Sequence, residues 1–260
     1  MKQILSLILA LACGFGLAAQ SFSDDFYDAL NSDNVHQQRR ILAKWAMTDP
    51  GDIDLYIARF NHYINLSMAQ TGDPVLAASL ADSGLTVIDR AISLFPERLD
   101  LRFGKIYFLG QIMRWQSFTD EVVRTLNRSE KTNHQWQFPN FDQGGRILII
   151  EGVQDYLYTL NEATQNAGPE ARKAILPHIR RIAHRAAQLF PSEPSFLSSL
   201  AYTYIAEADY ETALHHLNRA EQLSPNDPAV LQQLVDVYTR MKNKKQAAQY
   251  RARLEKLQEP

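Results

Sequence analysis

Ala186-Ala187-Gln188-Leu189-Phe190-Pro191 returns 34 residues later as Ala220-Glu221-Gln222-Leu223-Ser224-Pro225. The register holds beyond these two runs, because Leu197, Leu200, Tyr204 and Ala213 recur as Leu231, Leu234, Tyr238 and Ala247. Each period contains two helix-length apolar patterns separated by a turn, and a period of about 34 residues is that of stacked helical hairpins. Small residues at Ala213 and Ala220 permit close helix approach, and the prolines stop the helices that precede them. The expected fold class is therefore all-α, with helix-turn-helix repeats stacked as an α-solenoid.

The pattern extends towards the N-terminus. Gly84, Ile88, Ala91 and Pro96 share the spacing of Ala213, Leu217, Ala220 and Pro225, and Leu94-Phe95-Pro96 matches Leu189-Phe190-Pro191. Helical periodicity predicts helices over residues 34–47, through Ile41, Leu42 and Trp45, and over 53–69, through Ile57, Phe60, Ile64 and Met68. Asp49-Pro50-Gly51-Asp52 and Thr71-Gly72-Asp73-Pro74 break them. Further helices are expected over 75–95, 101–114, 118–126 and 146–164. Pro177 is placed at the start of the helix after 146–164, so this unit is expected to carry extra residues between its helices.

Residues 194–227 resemble a full tetratricopeptide repeat, with Leu197, Leu200, Ala201 and Tyr204 in the first helix, Ala213, Leu217 and Ala220 in the second, and Pro225 closing it. Residues 228–260 resemble a second repeat, in which Arg251 occupies an apolar slot, as suits the uncovered last unit of a stack. The expected organisation is a leader over 1–19 and a tetratricopeptide-like domain over 20–260. The chain also resembles exported tetratricopeptide proteins from Bacteroidetes-type bacteria, through Leu94-Phe95-Pro96 and Arg102-Phe103-Gly104-Lys105-Ile106-Tyr107. The family resemblance implies a groove lined by first helices. Its inward positions correspond to Ser195, Ser198, Tyr202 and Ile205, then to Gln232, Asp236, Thr239 and Arg240. Such small and mixed polar side chains suit an extended peptide, and a plainly solvated face is the other reading of them. The Lys and Asn clamp that some relatives use for a terminal carboxylate has no counterpart here.

Lys2, the apolar run Ile4 to Ala12 and the small residues Gly16, Ala18 and Ala19 form an export signal, too short for the roughly 20 apolar residues of a membrane span. Cleavage is expected near Gln20, placing the protein in the periplasm or cell envelope. Lipidation at Cys13 is the competing reading, disfavoured by Ala10 at the usual large aliphatic position, and membrane association is expected only in that case. Cys13 is the single cysteine, so no disulfide supports the fold, and the core must suffice. With 27 basic and 29 acidic residues the net charge is −2, too mild to indicate nucleic acid.

Other sites are weaker. The loop 129–145 carries Trp136, Phe138 and Phe141, which either form a ligand-binding lid or staple the loop down, stapling being the preferred reading. The lid reading makes a small-molecule or glycan receptor the alternative function. His178 and His184 are six apart, and His215 and His216 are adjacent, so neither pair shares a helix face as metal ligands need. No phosphate loop, His-Glu-x-x-His pair or Gly-x-Ser-x-Gly elbow occurs. The expectation is a non-catalytic scaffold for a protein or peptide, without metal or cofactor.

Overall fold

The computed structural model describes residues 17–139 and 144–257. Among them, twelve helices succeed one another without a strand: α1 (Leu17–Asn31), α2 (Val35–Thr48), α3 (Ile53–Ala69), α4 (Pro74–Leu94), α5 (Leu99–Gln111), α6 (Trp115–Lys131), α7 (Gly145–Gln165), α8 (Pro169–Leu189), α9 (Pro194–Ala206), α10 (Tyr210–Leu223), α11 (Pro228–Arg240) and α12 (Lys244–Lys256). In chain order α1/α2, α3/α4, α7/α8, α9/α10 and α11/α12 form helix-turn-helix pairs, the odd helix being the first of each, and α5 and α6 continue the same odd-even order, one in each compact unit. The architecture is the all-α helical repeat that the periodicity predicts.

Two turn types punctuate the chain. After α1, α5, α9 and α11 the turn centres on a left-handed residue, Asp33, Met113, Ala208 or Lys242, with φ of 53, 53, 61 and 58°. In three of these turns the next amide closes back on the first helix, Asn34 onto the Ala29 carbonyl, Asp209 onto Tyr204 and Asn243 onto Tyr238, each at 2.9 Å. The same Asn or Asp then caps the second helix, its Oδ1 accepting from the amides of Gln37, Thr212 and Gln246 at 3.0, 3.2 and 3.2 Å. One left-handed residue followed by Asn or Asp thus satisfies the carbonyls of one helix end and the amides of the next.

Between pairs, Asp49-Pro50, Phe95-Pro96, Phe190-Pro191 and Ser224-Pro225 end α2, α4, α8 and α10 alike. The residue before proline makes the last ladder bond, to Trp45, Ala91, Ala186 and Ala220 at 2.8, 2.8, 2.8 and 2.9 Å. Proline lacks the amide to continue and pushes its predecessor out of the helical region. Among the described residues, those of the α6–α7 junction, 132–139 and 144, depart from this pattern.

The chain divides into two compact units, Met1–Gln111 with Gln135–Asp142, and Ile112–His134 with Gln143–Pro260. In unit one, Phe26, Leu30, Leu42, Trp45, Leu55 and Ala58 form a core that joins α1, α2 and α3. Trp45 stacks on Phe22 at 5.8 Å and donates its Nε1–H to Asp52 at 2.9 Å. A buried polar thread crosses the same helices: His62 Nδ1 donates to Gln38 Oε1 at 2.7 Å, and Gln38 Nε2 donates to the Ala29 carbonyl at 3.2 Å. Unit two stacks α6 to α12 around alanines that bring helices together, Ala183, Ala186, Ala201, Ala213 and Ala220 all being fully buried.

Three expectations change. Pro177 does not open a helix but lies inside α8, which begins at Pro169 and runs through it. Pro169 supplies the first-turn proline, and Pro177 sits on the exposed side of the helix. The extra residues of this unit consequently lengthen α7 and α8 to 21 residues each, leaving only residues 166–168 between them. The helix expected over 118–126 runs instead from Trp115 to Lys131, shortening the following loop. Finally, α1 is a helix that periodicity did not single out, because its acidic residues Asp24, Asp25 and Asp28 obscure the buried set Ser23, Phe26, Ala29 and Leu30.

Candidate peptide-binding site

Unit one contains a cavity of about 350 Å³ walled by the first helices α1, α3 and α5. Its floor is apolar: Phe60 and Ile64 come from successive turns of α3 and Tyr107 and Phe108 from α5, with exposed Met68 at the mouth. Phe60 and Phe108 meet edge to face at 5.8 Å, which fixes the floor. Around it stand four carboxamides, Asn31, Asn61, Asn65 and Gln111. Asn61 Nδ2 donates to the Tyr27 hydroxyl at 3.1 Å, and burial pushes that phenol up to about 12. No lining side chain carries a formal charge.

A carboxamide both donates and accepts, as a peptide backbone unit does, so this rim over an apolar floor is complementary to an uncharged, amide-bearing ligand. The stripe Ile57, Phe60, Ile64 and Met68 was legible as a helix face. Its C-terminal part borders a cavity instead of entering the core, since Phe60 is 3% exposed and Met68 52%. Asn61 and Asn65 gave no periodic signal that could have singled them out.

The groove positions of unit two divide by helix. On α9, Ser195 accepts a hydrogen bond from Gln154 of α7 at 2.8 Å, and Tyr202 shares one with Thr164 of α7 at 2.6 Å. Ser198 and Ile205 are buried. These four side chains are engaged in packing α9. On α11, by contrast, Gln232, Thr239 and Arg240 are exposed and Asp236 is half-buried, with Arg240 Nε donating to Asp236 at 2.9 Å.

In the α6–α7 loop, the Trp136 ring lies 5.7 Å from the Arg102 guanidinium, and Phe138 meets Phe103 at 6.1 Å. Gln137 pairs with the backbone at the start of α5, donating to Glu97 at 2.8 Å and accepting from Leu99 at 3.0 Å. Trp136 and Phe138 thus pack the loop against α5, within unit one. Phe141 lies outside the described residues, as do Cys13 and the apolar run of the expected leader.

Of the histidines, His178 Nδ1 shares a hydrogen bond with Thr119 at 3.0 Å and so ties α8 to α6, while His184, His215 and His216 line a second cavity. Among the described residues no group of three or more His, Cys, Asp or Glu side chains is placed to hold a metal ion. No helix among them is long and apolar enough to cross a membrane.

Residues 204–257, from the end of α9 to α12, match the tetratricopeptide repeat family model. Over that stretch the helix-turn-helix units are tetratricopeptide-like. Among solved structures, the chain is similar to PilW, described as a widely conserved type IV pilus biogenesis factor, at 11% identity over 94% of this chain and 100% of that one, with a TM-score of 0.44. It is also similar to PilF of Pseudomonas aeruginosa, at 14% identity over 92% and 91% of the two chains, with a TM-score of 0.41. MamA of Desulfovibrio magneticus RS-1 aligns at 15% identity over 94% and 97%, with a TM-score of 0.34. No curated protein matches the chain in sequence.

Proposed function

We propose that this protein is an exported, non-catalytic scaffold that holds a protein or peptide partner in the periplasm or cell envelope. The observation that carries the reading is the uncharged cavity between α1, α3 and α5, where an apolar side chain of the partner enters and neighbouring backbone amides pair with Asn31, Asn61, Asn65 and Gln111. The tetratricopeptide match supports a scaffold of this kind. Within unit two, the proposed contact set Ser195, Ser198, Tyr202, Ile205, Gln232, Asp236, Thr239 and Arg240 narrows to the exposed α11 side chains, because Ser198 and Ile205 are buried and Ser195 and Tyr202 bond to α7. Among the described side chains the core begins with Phe22, which lies beyond the proposed cleavage after residue 19.

Photo-crosslinking tests the reading. A benzophenone amino acid replacing exposed Met68, at the cavity mouth, is expected to give a discrete protein adduct in intact cells. The adduct should vanish when Ile64→Glu places a charge in the floor. The same probe at Met47, exposed and outside the cavity lining, should give none. Adducts confined to lipid or glycan, or an adduct indifferent to Ile64→Glu, would overturn it.

A further inference from the structure

The second cavity, of about 270 Å³, lies in unit two between α8 and α10, over α9. Leu197 and Leu200 of α9 form its floor, and both are buried. Its walls carry His184 from α8 and His215, His216 and Arg219 from α10, with no carboxylate among the lining side chains. These residues stand up to 35 positions apart in the chain, and packing alone assembles them.

The charges around this cavity are unevenly matched. Three arginines of α8 are already paired: Arg180 with Glu207 at 2.7 Å, Arg181 with Asp120 at 2.6 Å and Arg185 with Glu130 at 2.5 Å. Glu221, an acidic residue of α10, turns away to Tyr250 and Arg253 of α12. Among the described residues Arg219 forms no ion pair, and it is the fixed positive charge of the lining.

Two of the imidazoles make ring contacts. His216 stacks on Tyr204 at 5.5 Å, and the Arg180 guanidinium lies 4.4 Å from the same Tyr204 ring. His215 meets His216 edge-on at 5.4 Å. The groups that face His216 are therefore Tyr204 from α9, His184 from α8, and His215 and Arg219 from α10. Burial first, and then His215, Arg219 and His184, hold the His216 imidazole below its ordinary value. No carboxylate stands among the lining side chains to balance Arg219.

We propose that this cavity is a binding site for an oxyanion, a phosphate or carboxylate group of a ligand, held by Arg219 and by His184, His215 and His216. An anion seated there accepts hydrogen bonds from the guanidinium and the imidazoles and relieves their mutual repulsion. It also makes protonation of His216 more favourable, so binding takes up protons and tightens as the pH falls. The site stands independently of the cavity in unit one.

Sulfate, which does not titrate in this range, is the probe, added to the full chain while histidine side-chain resonances are followed by NMR. Near pH 6, millimolar sulfate should shift His215 and His216 saturably and leave His134 and His178 in place, with affinity falling by about tenfold or more near pH 8. Arg219→Gln should abolish saturation at an unchanged Tm, and Arg219→Lys should retain it in weakened form. Phosphoserine and a glutamate peptide then identify the group: tighter binding of either supports the site and names its source. Shifts that are non-saturating and shared by all histidines, or saturation that survives Arg219→Gln, would overturn the proposal.

Discussion

Ala208 and Lys242 occupy the left-handed region, at φ 61° and 58°, where a side chain with a Cβ is strained. Their position explains why they are tolerated: each lies between the last turn of a first helix and the Asx cap of a second, and only a left-handed residue lets both hydrogen-bond sets form. Ala208→Gly should relieve the strain and raise unfolding free energy by about 0.5–1 kcal/mol, after the entropy that glycine adds to the unfolded chain. Asp209→Ala removes the cap to Thr212 and should lower stability, opposite in sign to Ala208→Gly. Urea titration of the two variants checks both signs, and equal effects would mean that the turn does not control the hairpin.

Helix pairs add a second constraint, the distance between axes. Gly84 of α4 faces α3 so closely that a Cβ there would lie 3.2 Å from Tyr63 Cβ, an atom that cannot swing aside. Gly84→Val should force the α3/α4 pair apart and cost about 1–3 kcal/mol, although valine has the better helix propensity. Thermal unfolding measures this, and a stabilised variant would show that the pair has slack. The shared spacing of Gly84 with Ala213 made this contact legible in the sequence, because small residues at one register position imply close packing. The route of α8 was not legible, because a proline eight residues into a helix and a proline at a helix start look alike in one dimension.

At the scale of the molecule, acid is the informative perturbation. Burial is the first cause that holds His62, His134, His178 and His216 below their ordinary value of 6.5. Above that pH folded and unfolded chains are both neutral at these sites and stability is unaffected. As the pH falls below 6.5 the unfolded chain takes up protons first, so stability declines until the folded-state values are passed. Asp54 opposes this trend: burial, reinforced by Asp52 and countered by Arg98, raises its carboxyl to about 6, so the folded state gains protons first as the pH drops through that value. Denaturation midpoints measured between about pH 7 and 5 should therefore fall, less steeply in His62→Gln and more steeply in Asp54→Asn. A midpoint independent of pH in all three proteins would refute the assignment.

The sequence by itself determined the repeat class, the hairpin period, the helices ending in Phe-Pro, Asp-Pro or Ser-Pro, and the alanine and glycine contacts. All of these rest on interactions within a few turns of chain, or on a spacing that repeats. Tertiary structure alone decided which side chains meet across helices. It placed Asn61 and Gln111 beside one cavity, drew His184 to His215 and His216, turned Ser198 inward, and laid Trp136 and Phe138 against α5. The physical reason is that periodicity specifies the face of a helix, whereas the chemistry of a cavity depends on the rotation and separation of helices that are remote in sequence, and these are set by packing.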